Sequence, residues 1–220
     1  DHVMGDEGGY QNGANDHGGE TKYGISKRSY PHLDIPNITQ EMAREIFKKD
    51  FFNKISGDKL FEKNAGAAVH LADVAFNSGP GKAAEMLSDV LGITKQKRIT
   101  QEMIDMIPGD ESIVKKLSAR RHTFYNYRAS VDPIDAKNLK GWMNRLDSVN
   151  AFILSGMEGQ APLPGKKASK QLKAAGKAFT AEANASISSA ENKAVVDQIN
   201  AIGRSVVSED QEYIEATKEM

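Results

Sequence analysis

The chain has 220 residues, 29 Lys and Arg against 30 Asp and Glu for a formal charge of −1, and no Cys. That length suits one sizeable core or a compact domain with an appendage, and a change of composition after Gly156 favours the second. The near-zero charge supplies no overall field for nucleic acid, and the absence of Cys excludes thiol nucleophiles, thiolate metal sites and disulfides.

Asp1-His2-Val3-Met4-Gly5 reads as the last turn of a helix that begins before Asp1, so a processed chain or a piece of a longer polypeptide is expected. From 8 to 26, Gly, Asn, Asp and Thr alternate with Tyr10, Tyr23 and Ile25, a pattern that suits a small irregular β-hairpin. Pro31 and Pro36 punctuate a loop. Thr39 is then a predicted N-cap, with Met42, Ile46 and Phe47 at helical spacing in a helix running to about Phe52. Val69, Ala72, Asp73 and Phe76 predict a largely buried helix from Ala65 to Asn77, ended by Asn77-Ser78-Gly79. Pro80 opens the next helix, which carries Met86, Leu87, Val90 and Leu91 and stops at Gly92. Thr100 caps a short helix to about Ile107, and Pro108-Gly109 breaks it. Longer helices are predicted from Asp110 to about Ser130 and from Ile134 to Leu154.

Gly159, Pro162, Pro164 and Gly165 make a linker. Beyond it lie a basic block (Lys166, Lys167, Lys170, Lys173, Lys177) and an acidic one (Glu209, Asp210, Glu212, Glu215, Glu219), as in a helical or partly disordered tail. Leu172, Phe179, Ile187, Val195, Ile199, Ile202 and Val206 offer it only a narrow apolar stripe, which needs a partner in the body or in another protein. The expected class is mainly α, strictly α+β: a helical body, a small β-hairpin near the N-terminus and a C-terminal helical extension. The expected divisions are 1–92, 93–157, a linker at 158–165 and a tail at 166–220.

The candidate chemistry lies in Asp6-Glu7-Gly8-Gly9-Tyr10 and Asp16-His17-Gly18-Gly19-Glu20-Thr21-Lys22-Tyr23-Gly24-Ile25. An acid beside two residues without Cβ, a second carboxylate and a hydroxyl follow one another in a segment built to bend. Paired Gly residues permit left-handed backbone and close approach of a ligand, so the segment reads as the lip of a groove. Carboxylates there suit acid/base work on a neutral polar substrate.

Glu-Gly-Gly-Tyr followed by Asp-x-Gly-Gly-x-Thr-x-Tyr-Gly-Ile resembles the N-acetylmuramidases of glycoside hydrolase family 108, found in phage lysins and bacterial secretion-linked proteins. The order of Glu7, Asp16 and Thr21 is also similar to that of phage-type lysozymes. Asp73-Val74-Ala75-Phe76-Asn77-Ser78-Gly79-Pro80 resembles the family's second helical motif. Arg121 with Tyr125, then Lys140-Gly141-Trp142-Met143-Asn144-Arg145, resembles its peptidoglycan-binding helical region. Together these cover residues 1–155. Where the family often has Asp-Pro-Gly-Gly, this chain has Asp16-His17-Gly18-Gly19, which exchanges a fixed φ for a titratable group.

The resemblance implies a lysozyme-like fold, with a catalytic part in 1–92 and a peptidoglycan-binding part in 93–157. It implies a cofactor-independent enzyme that cleaves the β-1,4 bond between N-acetylmuramic acid and N-acetylglucosamine. Glu7 would be the general acid, its carboxyl kept protonated by partial burial, and, if the reaction inverts rather than retains, Asp16 with Thr21 would position the water. Tyr10 and Tyr23 are candidates for stacking on sugar rings, or they merely cover the hairpin. Asn77 is a candidate substrate contact, or a helix cap. Expected partners are peptidoglycan glycan strands and, through the tail, virion or secretion-apparatus subunits; neither nucleic acid nor a membrane span is expected. Two other outcomes stay open: a non-catalytic peptidoglycan-binding or structural module, and a lytic transglycosylase.

Asp16 alone could stabilise its own turn, Thr21 could be an ordinary strand residue, and Glu20 is a competing carboxylate. Asp73 on an apolar helix reads first as a buried hydrogen-bonding partner, and Trp142 as core. His2, His17, His32, His70 and His122 show no metal-binding spacing, so no metal or cofactor is expected. Neither a P-loop, a dinucleotide fingerprint nor a nucleophile elbow is present.

Overall fold

The computed structural model describes residue 10, residues 19–157 and residues 170–188. The expectations on Glu7, Asp16, the linker and the rest of the tail lie outside these residues.

The chain begins with a two-stranded antiparallel hairpin, β1 (Thr21–Lys22) and β2 (Ile25–Ser26), in the register Thr21↔Ser26 and Lys22↔Ile25. Its two-residue turn has positive φ at both positions, 52° at Tyr23 and 75° at Gly24, the geometry whose twist suits paired strands. Ile25, with Ile35, Ile38 and Ala43, forms a small N-terminal core, and Tyr23, Tyr30, Leu33, Ile46, Phe47 and Phe76 pack against it. Burying each of these Ile side chains contributes about 2–3 kcal/mol.

Helix α1 (Gln40–Phe47) is capped by Thr39, whose Oγ1 accepts the Met42 N–H at 3.1 Å. The helix does run to Phe52, but only Gln40–Phe47 is α-helical and its last stretch, Lys48–Phe52, is a wider π-type turn. The wider turn lets Phe51 and Phe52 both approach Phe47, at ring-centroid distances of 6.3 and 6.4 Å, which regular spacing would not place together. Helix α2 (Gly57–Lys63) has no counterpart in the sequence reading. Gly57 and Leu60 are its only buried residues, so it carries almost no periodic apolar signal.

Helix α3 (Ala65–Ser78) is the hub. Five buried Ala and Val side chains, together with Leu71, leave room for neighbours to approach it on most sides. Asn64 caps its start, Oδ1 accepting from Ala67 N–H at 3.0 Å while Nδ2 donates to the carbonyls of Pro108 and Asp110. Helix α4 (Pro80–Leu91) stops at left-handed Gly92, which lets Ile93 N–H return to the Ser88 carbonyl at 3.1 Å. Thr100 caps the short α5 (Gln101–Asp105). Helices α6 (Ser112–Val131) and α7 (Pro133–Met157) start and end within three residues of the predicted positions.

Helix α8 (Lys170–Ser188) packs against α6 and α7, so this part of the tail finds its partner in the body. Phe179 joins an apolar cluster that runs from Ile55 through α3, α4, α6 and α7. Gly176 makes that contact possible: a Cβ there would meet the Asp147 carbonyl and Ala151. Leu172 and Ile187 lie outside the described side chains. Among the described residues no helix is long and apolar enough to cross a membrane. The arrangement is α+β, mainly helical with one small hairpin near the N-terminus, and fits a lysozyme-like fold.

The hairpin meets the body at one tight point. A Cβ on Gly24 would fall within the Phe76 ring near the end of α3. Gly24→Ala therefore adds left-handed strain to overpacking and is expected to lower the unfolding free energy by about 1–3 kcal/mol in urea titration. Wild-type stability in that variant would show that the hairpin does not bear on Phe76.

Candidate active site

Of the described candidates, Thr21 and Tyr23 fall on the hairpin and Asn77 on the end of α3 it touches, while Tyr10 precedes the hairpin. Alternation along β1 and β2 puts Thr21 and Ser26 on the face opposite buried Ile25. Thr21 Oγ1 donates to the Gly19 carbonyl at 3.2 Å, which fixes its rotamer and leaves the oxygen as an acceptor. One more backbone bond, Lys27 N–H to the Glu20 carbonyl at 2.8 Å, extends the hairpin and steadies this strand.

Tyr10, 43% exposed, donates its hydroxyl to Glu20 Oε1 at 2.8 Å. That bond ties the segment just after Glu7 to the strand bearing Thr21. Tyr23 is half-buried, and its ring packs on the small N-terminal core with Lys22 Nζ 5.6 Å from its centroid. Asn77 is exposed at the end of α3, where its Nδ2 donates to the Asp73 carbonyl one turn back at 2.7 Å. It directly follows Phe76, the side chain under the hairpin turn. Tyr10 is thus joined to the Thr21 strand through Glu20, and Asn77 adjoins the hairpin through Phe76.

Beneath Asn77 lies a buried ionic cluster. Asp73 on α3 receives Arg121 Nη2 of α6 at 2.5 Å and Arg145 of α7 at 2.9 Å. Burial would raise the Asp73 pKa, but the two guanidinium groups outweigh it and hold the carboxyl below its ordinary range. Arg121 also donates to the Tyr125 hydroxyl at 2.8 Å, and the Tyr125 ring lies 5.4 Å from that of Trp142. Asp73 thus has the buried hydrogen-bonding role that its place on an apolar helix suggested. The sequence reading did not find His70 and Asn150, which join the same cluster. A polar residue on the buried face of α3 was their only signal.

His70 is fully buried, with Nε2 2.9 Å from Asn150 Oδ1 and Nδ1 3.3 Å from Arg121 Nη1. Arg is always a donor, so Nδ1 accepts and Nε2 carries the proton. Burial, reinforced by the Arg121 charge, pushes the His70 pKa down to about 3. The unfolded chain takes up this proton near pH 6.5, so stability falls as pH drops from there toward 3, by about 1.4 kcal/mol per unit. Urea titrations between pH 7 and 4 are expected to show that slope reduced in His70→Gln. An equal slope in both proteins would mean that His70 already titrates normally in the folded state.

Among the described residues no group of His, Asp or Glu could hold a metal ion, and both nitrogens of His70 are engaged within the protein.

Residues 1–79, which contain the hairpin and the whole of α3, match the family model described as glycosyl hydrolase 108. The match spans 79 of the 220 residues. The match supports a glycoside hydrolase, with peptidoglycan as the class of substrate. A solved structure, described as that of Brucella abortus SagA, is similar to this chain with a TM-score of 0.60 and 25% sequence identity. The similarity covers 70% of this chain and 90% of that one. No curated protein matches the chain. The glycosyl hydrolase 108 match ends at Gly79, so it includes Glu7, Asp16, Thr21, Tyr10, Tyr23 and Asn77.

Proposed function

We propose that the protein is an N-acetylmuramidase that hydrolyses the β-1,4 bond between N-acetylmuramic acid and N-acetylglucosamine. The observation that carries this reading is the glycosyl hydrolase 108 match over the stretch that holds Glu7, Asp16 and Thr21. Glu7 is the general acid: it gives its proton to the glycosidic oxygen as the bond to the anomeric carbon breaks. Asp16 accepts a proton from the water that attacks the opposite face, and Thr21 orients that water with its free lone pair. The outward placement of Thr21 and the Tyr10 to Glu20 bond support a lip in which these groups converge.

In this reading Tyr10 stacks on a sugar ring, and Asn77 contacts N-acetyl or hydroxyl groups at the end of α3. Tyr23, whose ring packs inward, contributes through its edge. Residues 1–92 act as the catalytic part and 93–157 as the part that grips peptidoglycan, followed by the linker at 158–165 and the tail at 166–220. The enzyme works on the cell wall in the periplasm, as a phage lysin released at host lysis or as a virion-associated enzyme.

Purified peptidoglycan digested by the full chain is expected to yield muropeptides with reducing N-acetylmuramic acid ends. Mass spectrometry showing anhydromuramic ends would establish a lytic transglycosylase instead. Binding without any new ends would leave a peptidoglycan-binding module. Asp16→Ala and Thr21→Ala should each lower kcat, and unchanged kinetics in both would remove the positioned water from the mechanism.

A further inference from the structure

One chain of hydrogen bonds leads from α8 to the end of α3 that meets the hairpin. Thr180 on α8 gives its hydroxyl proton to Asp147 Oδ1 at 2.7 Å and accepts from Asn150 Nδ2 at 2.8 Å. Asn150 Nδ2 also donates to Ser118 Oγ at 2.8 Å, while its Oδ1 accepts from His70 Nε2. Arg121 bridges His70 Nδ1 and the Asp73 carboxylate, and the Asp73 carbonyl receives Asn77 Nδ2. Phe76, between Asp73 and Asn77, bears on Gly24. Arg121 can only donate, which sets the donor directions from Asn150 to Asp73, while the Thr180 hydroxyl has both Asp147 Oδ1 and the Gly176 carbonyl, at 3.0 Å, as acceptors.

The α8 end of the path is also fixed in depth. Gly176 sits against the Asp147 carbonyl and Ala151, so α8 occupies one position relative to α7. Thr180, Asn150 and His70 are all buried, so removing one partner leaves others unsatisfied in a dry interior. A sliding or tilting α8 would therefore disturb α3 through polar groups as well as through Phe179.

We propose that Thr180 and Asn150 are positioning residues for the glycosidic reaction, and that α8 sets the placement of the α3 end and of the hairpin resting on it. The effect on turnover rests on the muramidase reading; the effect on the hairpin does not. α8 lies beyond the 1–79 match, so the catalytic segment depends on a helix about a hundred residues downstream of it.

The test uses the full chain with Thr180→Val, which keeps the shape and removes the hydroxyl, and Thr180→Ser, which restores it. In Thr180→Val, amide hydrogen exchange is expected to rise at residues 74–79 and 21–26 as well as in α8. On peptidoglycan, kcat should fall about tenfold with little change in KM, as for a slightly misplaced site. Thr180→Ser should return both toward wild type. Exchange that rises in α8 alone, or a fall in kcat that Thr180→Ser does not reverse, would overturn the proposal. If Thr180→Val does not fold, Asp147→Ala, which removes the acceptor of the Thr180 hydroxyl, is read in the same way. A wild-type chain that releases no reducing ends would refute the muramidase reading, while the exchange pattern would still decide the coupling.

Discussion

Asp73→Ala is expected to lower the unfolding free energy by about 3–5 kcal/mol. The Arg121 side chain is fully buried, and Asp73 is the carboxylate it faces at 2.5 Å. Without that carboxylate a guanidinium group stays in the interior with its charge uncompensated, and Arg145 loses the same acceptor. For a chain of this size the loss corresponds to a Tm lower by about 10 °C. The pair itself is not the source of that stability, since taking two charges out of water costs nearly as much as their attraction returns. Asp73→Leu combined with Arg121→Met should therefore recover most of the loss, although Tyr125 and His70 then each lose a donor. Calorimetry on the three proteins checks this. A small loss in Asp73→Ala would mean that water reaches Arg121.

That cluster also shows where the sequence stopped informing. Asp73 announces a buried partner because a carboxylate on an apolar helix must be neutralised, but any of 29 Lys and Arg could supply the charge. Arg121 is chosen by the crossing of α3 and α6, which no local pattern states. By contrast, the hairpin is readable: glycines at 18, 19 and 24 alternate with Tyr23 and Ile25, and only a tight turn tolerates that composition. Thr39, Thr100 and Gly92 could be placed for the same reason, since caps are set by a side chain and the few backbone groups beside it.

The elements that escaped are those settled by tertiary packing. The π-type turn at Lys48–Phe52 depends on where the Phe47 ring can meet Phe51 and Phe52, and α2 offers little besides Leu60 to bury. The docking of α8 rests on Gly176 and Thr180, a missing side chain and a hydroxyl, neither of which contributes to an apolar stripe. At the candidate site the residue types could be read, whereas their directions could not. Tyr23 as a letter is equally suited to stacking on a sugar or on Ile25, and only the turn geometry turns its ring toward the small core.

Glu7→Gln is expected to reduce hydrolysis of peptidoglycan by about 10²–10⁴-fold, the contribution of one well-placed general acid. Gln has the same shape and hydrogen-bonding reach as a protonated Glu, but it cannot release a proton to the leaving oxygen. Binding and folding should therefore survive. The measurement is the rate at which reducing ends appear from purified peptidoglycan, run on wild type and Glu7→Gln at equal concentration, with matched circular dichroism and Tm. The account predicts steady release by the wild type and near-background release by a folded Glu7→Gln. Equal release by the two proteins would contradict it.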